Sequence, residues 1–126
     1  MLRIRKEQMD VFQSASEAEL CAAVADWLRG RAPEELASTS DEALLGRVGW
    51  GIRRARHWRI EDERSIAIFV SLLFRIGPHF DRHPEVVRYL EEPTRTPEER
   101  LAHLVQNFEA WSAVRDQAPP NAWEIH

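Results

Sequence analysis

Asp62-Glu63-Arg64-Ser65-Ile66-Ala67-Ile68-Phe69-Val70-Ser71-Leu72-Leu73-Phe74-Arg75-Ile76 is the stretch that decides the fold. At about 100° per residue, Ile66, Ile68, Phe69, Val70, Leu72, Leu73, Phe74 and Ile76 cover roughly two-thirds of a helix circumference. The remaining wedge holds Arg64, Ala67, Ser71 and Arg75. A helix this apolar is buried on most sides, and no other segment of the chain is as apolar. The run from Ile66 to Ile76 is far shorter than the roughly 20 residues that span a bilayer. It therefore reads as a central core helix, which Gly77-Pro78 ends.

Upstream, Ser40-Asp41-Glu42 starts a helix well, because acidic residues complement the positive end of the helix dipole. Leu44, Leu45, Val48, Ile52, Ala55 and Trp58 fall in one arc of it. Gly51 lies inside that arc, where glycine costs about 1 kcal/mol of helix propensity, so close approach of another helix is expected there. Ser16 and Glu19 have capping-box spacing ahead of a helix over Glu17–Arg29, with Leu20, Val24, Trp27 and Leu28 inward and Gly30 as the stop. Cys21 sits at the edge of that stripe as a small packed side chain. Residues 33–37 suggest one helical turn, and Ile4–Ala15 a first helix with Ile4, Gln8, Val11 and Phe12 on one side.

Downstream, Pro84–Leu90 reads as a short helix with Val86, Val87 and Leu90 inward. Thr96-Pro97-Glu98-Glu99 is the clearest start signal in the chain: N-cap, proline at the first helical position, and Glu three residues on. Its helix carries Leu101, Leu104, Val105, Phe108 and Trp111, and Pro119-Pro120 ends the ordered part. No segment alternates with period two, and no hairpin turn signal occurs. The expectation is an all-α, single bundle of about five to six helices over residues 1–118, with residues 119–126 as a tail in which Trp123 and Ile125 dock or dangle.

A chain of 126 residues fits one domain. One cysteine gives neither an internal disulfide nor a thiolate zinc cage. The first ten residues have no apolar stretch of the secretory kind, so the expected location is cytoplasmic. With 17 Lys+Arg against 21 Asp+Glu the net charge is −4, which gives no global attraction to nucleic acid.

Two clusters are candidates for chemistry. His79, Asp81 and His83 are all zinc-binding types. They lie between Pro78 and Pro84, however, and not on one helix face. The expectation is that Phe80 anchors this loop, that Asp81 bonds backbone N–H groups or caps the next helix, and that the histidines are solvated. No protease, hydrolase, phosphate-loop or dinucleotide motif is present. The chain is accordingly expected to be non-enzymatic and to need no cofactor or metal. The second cluster is basic: Arg47 to Arg59 holds five arginines and His57, with no acidic residue until Glu61. On a wheel Trp50, Arg53, Arg54 and His57 lie opposite the core stripe, and an aromatic ring among arginines has the composition of a protein-interaction hot spot. The alternatives are that another element of the domain covers Trp50, or that the helix lies on nucleic acid. Arginine usage throughout the chain and the acidic total oppose the second.

The order Ile4-Arg5-Lys6-Glu7-Gln8, then Gly51-Ile52-Arg53-Arg54-Ala55-Arg56-His57-Trp58, then an apolar helix, then Gly77-Pro78-His79-Phe80-Asp81 and Glu99-Arg100-Leu101 resembles the small helical bacterial proteins encoded beside type VI secretion spike, PAAR-tip and effector genes. Arg59 stands where such proteins often have glycine. The resemblance implies a non-enzymatic accessory role that binds another protein, a secreted effector or a spike component, as chaperone, adaptor or immunity protein. It brings no functional residues with it.

Overall fold

The computed structural model describes residues 16–107. Within them lie five α-helices: α1 Glu17–Arg31, α2 Asp41–His57, α3 Glu63–Ile76, α4 Pro84–Leu90 and α5 Pro97–Gln106, with a 3-10 turn at Phe80–Arg82. There is no strand among the described residues. The fold is an all-α bundle. The expectations for residues 1–15, for Phe108 and Trp111, and for the tail lie outside the described residues.

Each helix starts on a side chain that accepts from one of its otherwise unpaired N–H groups. Ser16 takes Glu19 N–H at 3.2 Å, Ser40 takes Ala43 at 3.1 Å and Asp62 takes Ser65 at 2.9 Å. Thr96 and Glu99 form the reciprocal box, at 3.1 and 3.0 Å. α1 runs through Gly30 to Arg31. Gly30 has open space around it, and the stop comes instead from Pro33, which disfavours helical backbone at Ala32.

α3 is the hub, packing on α1, α2, α5 and the 3-10 turn. Ile66, Phe69, Val70 and Leu73 are fully enclosed. Ala67, assigned from the sequence to the polar wedge, is also buried, whereas Ile68 is only half-buried. A Cβ on Gly51 would sit 3.1 Å from both Val70 Cγ2 and Leu73 Cδ1, so the missing side chain is what lets α2 settle on α3. Leu45 and Val105, expected inward, are exposed: the contact sides of α2 and α5 are narrower than their apolar stripes.

The end of α2 is a Schellman motif. Arg59 N–H donates to Arg56 C=O at 2.9 Å and Ile60 N–H to Ala55 C=O at 3.1 Å, while Ile60 is buried as the hydrophobic contact. Arg59 occupies the left-handed position with φ 65°, so the tight bend forms without glycine. An L-residue there costs roughly 1–2 kcal/mol, offset in part by the greater chain entropy that glycine loses on folding. Arg59→Gly is therefore expected to raise stability by about 0.5–1 kcal/mol, read as a Tm increase of a few degrees. Arg59→Ala should leave Tm unchanged.

Long side chains tie down the connections. Arg29 donates to the Leu36 and Thr39 carbonyls and to Asp41 at 2.7–2.9 Å, closing residues 32–40 over α1. Arg100 does the same for the α4–α5 connection through the Glu92 and Leu90 carbonyls. Glu98 accepts the Glu61 and Asp62 N–H groups and so pins the α2–α3 bend to α5. A guanidinium presents several donors in a fixed fork, and such loop carbonyls suit it.

Candidate functional site

α2 buries Leu44, Val48, Gly51, Ile52 and Ala55, and that choice of face determines where its other residues point. Arg54 and Trp58, one turn apart, turn toward the loop after α3. There Asp81 is completely enclosed. One oxygen of its carboxylate, Oδ2, accepts from Arg54 Nε at 2.9 Å, Arg54 Nη2 at 2.7 Å and Trp58 Nε1 at 2.8 Å. The other, Oδ1, accepts from none of the described residues. Phe80 holds the loop in place, its ring 5.5 Å from Phe69, and the His57 ring meets the edge of Trp58 at 5.2 Å.

The four residues singled out from the sequence therefore divide. Arg54 is a bridge into the core and not a surface contact, with its side chain 20% exposed. Arg53 and His57 are exposed. Arg53 lies toward α1: a Cβ on Gly49 would be 3.7 Å from the Arg53 guanidinium and 4.0 Å from Cys21 Sγ. Trp50 is half-buried and packs against the core cluster, between the two flanks. Arg56 bridges to Glu17 of α1 at 2.6 Å.

The loop reading is corrected at two positions. Asp81 neither caps a helix nor binds backbone, and α4 is capped instead by His83, whose Nδ1 accepts Glu85 N–H at 3.3 Å. His83 is accordingly half-buried, while His79 is exposed. No group of three or more His, Cys, Asp or Glu among the described residues is placed to hold a metal ion. Burial, reinforced by Glu17, pushes the Cys21 thiol up, and its S–H donates to the Leu45 carbonyl at 3.3 Å, as suits a packed and unreactive side chain.

The chain matches no family model, no curated protein and no solved structure. The site's chemistry therefore has to be read from its own residues. No helix among the described residues is long and apolar enough to cross a membrane. The arrangement offers a fixed aromatic ring with arginine and imidazole beside it, held on a helix whose back is locked to α3 and whose flank is locked to Asp81. The sequence reading missed the partnership of Arg54 and Trp58 with Asp81. The available signal was their i, i+4 spacing together with an aspartate directly after a core phenylalanine.

Proposed function

We propose that this chain is a non-enzymatic protein-binding module that uses the outer side of α2, with Trp50 as the anchor and Arg53 and His57 as the polar contacts. The observation that carries this reading is the placement of Trp50. Trp50 is half-buried and packs against the core, on a helix fixed from two sides, so its position is held before any partner arrives. Arg54 and Arg56 are engaged by Asp81 and Glu17. That weakens the basic helix as a phosphate-binding surface and favours a protein partner over nucleic acid. The type VI resemblance narrows the partner to a secreted effector or spike component, bound in a cytoplasmic chaperone, adaptor or immunity role.

Co-expression with the product of the neighbouring effector gene, followed by size exclusion, tests the proposal. The expected result is one co-eluting, stoichiometric peak, weakened at least tenfold in affinity by Arg53→Glu with Tm unchanged. Separate elution overturns the proposal. Rescue of growth against the effector then separates immunity from loading.

A further inference from the structure

Asp81 is the one fully enclosed charged side chain among the described residues, and the three hydrogen bonds its carboxylate accepts come from Arg54 and Trp58 at the end of α2. The loop that carries Asp81 is held in place by other means. Pro78 and Phe80 are buried, and the Phe80 ring lies 5.5 Å from Phe69. The Phe80, Arg82 and His83 N–H groups donate to the Gly77, His79 and Phe80 carbonyls at 3.0–3.3 Å. Stability is also a weak reason for an enclosed ion pair, because apolar side chains of similar volume often serve as well or better. What the carboxylate changes therefore lies on the α2 side. All three donors converge on Oδ2, so one atom fixes the ends of two long side chains one turn apart. Trp58 caps the C-terminus of α2, with its backbone N–H donating to the Ala55 carbonyl at 3.0 Å. Its backbone is thus held by the cap and its indole by Asp81. The His57 ring meets that indole edge-on, with centroids 5.2 Å apart and planes at 86°, and His57 itself is exposed.

We infer that Asp81 is a positioning residue of the partner-binding surface: without touching the partner, it holds Trp58, and Trp58 holds the His57 imidazole in the orientation the partner meets. The inference rests on the protein-binding reading and names what sets the direction of one of its polar contacts. The two ring nitrogens of an imidazole are distinct, so a hydrogen bond to a partner depends on which edge the ring presents. An exposed histidine with nothing beside it must be ordered when the partner binds, and that ordering costs affinity. A fixed indole beside the ring removes part of that cost in advance, and recognition groups need such support from the side chains behind them. Only an acceptor aimed at both donors can supply it. An apolar side chain at position 81 would fill the space but leave the Trp58 indole N–H without its partner. Arg53, one turn before His57, leans toward α1 and stands outside this hold.

Asp81→Asn keeps the shape of the side chain and removes the charge that gathers the three donors. In the free full chain, the nuclear Overhauser contact between the His57 and Trp58 rings is expected to disappear and the Trp58 Nε1–H resonance to move. Against the effector-gene product, Asp81→Asn should weaken binding by about fivefold or more, the scale of a residue that matters at an interface. His57→Ala should weaken it similarly, and the double variant should bind within about twofold of His57→Ala, because both changes remove the same oriented ring. Asp81→Asn with Arg53→Glu should instead show the product of the two single effects. Leu101→Ala opens a void at a buried position of α5, so it lowers stability without touching this network and should leave affinity unchanged. Where Asp81→Asn fails to fold, Trp58→Phe carries the same test: it keeps the Arg54–Asp81 pair, removes the indole donor, and should lower affinity only while His57 is present. An intact ring contact, unchanged affinity, or full multiplication of the Asp81 and His57 effects overturns the inference. No complex with the unaltered chain removes the binding reading beneath it. A complex indifferent to Asp81→Asn removes the positioning role and leaves the module.

Discussion

Arg54→Glu is expected to cost about 3–5 kcal/mol of stability, the range for breaking a buried ion pair and leaving its partner uncompensated. The corresponding fall in Tm is on the order of 10–20 °C. Asp81 is wholly enclosed, and its Oδ2 takes two of its three donors from Arg54. Removing the guanidinium leaves a buried carboxylate with only the Trp58 indole N–H at 2.8 Å, and the new glutamate adds a like charge beside it. A side chain that is 20% exposed lets some water reach the site, which sets the lower end of the range. Arg54→Lys keeps the charge but loses the two-pronged approach through Nε and Nη2, and a smaller loss of about 1 kcal/mol follows. Thermal unfolding by circular dichroism reads both. A fall of less than about 2 °C for Arg54→Glu would mean that Asp81 is hydrated and the bridge energetically minor.

This expectation reverses what the helix wheel alone suggests, since a residue opposite the core stripe should tolerate charge reversal. The reason is physical. Periodicity reports which side of α2 meets the next helix, and it correctly places Val48, Ile52 and Ala55 inside. It says nothing about a loop that folds back along the flank of the helix. The Arg54–Asp81 contact joins residues 27 apart, and no local pattern encodes a pairing at that distance. The hub was legible because α3 is apolar over so much of its surface that any packing buries it. Its start at Asp62 and its stop at Gly77 follow from capping chemistry that acts within four residues. The same locality explains the errors. Leu45 and Val105 satisfy the apolar period but are exposed, with no helix facing them among the described residues, while Ala67 breaks the pattern yet is enclosed. For the candidate site, Trp50, Arg53 and His57 were legible as a composition. That Arg53 leans toward α1 while Arg54 turns inward depends on tertiary neighbours the sequence does not name.

Gly51→Leu is the other substitution expected to act strongly, by about 3 kcal/mol, at the upper end of what overpacking a close helix contact costs. The site has no spare volume. A Cβ alone would meet Val70 Cγ2 and Leu73 Cδ1 at 3.1 Å and Val70 Cγ1 at 3.3 Å, so three further carbons force α2 away from α3. Gly51→Ala separates the two effects that meet at this residue. Alanine gains about 1 kcal/mol of helix propensity, while its methyl requires Val70 and Leu73 to give by a few tenths of an ångström. The net change is expected to stay within about 1 kcal/mol of zero. The origin of the leucine effect is then tested by making room for it. Val70→Ala alone should destabilise by leaving a void at a fully buried position. Combined with Gly51→Leu it removes the atoms the new side chain would strike, so the double variant is expected to be more stable than Gly51→Leu alone. The coupling between the two sites, measured by denaturant unfolding of the four proteins, should exceed about 1 kcal/mol. Simple additivity would show instead that α2 and α3 do not meet at this glycine, and the rigid seat of Trp50 one residue away would lose its basis.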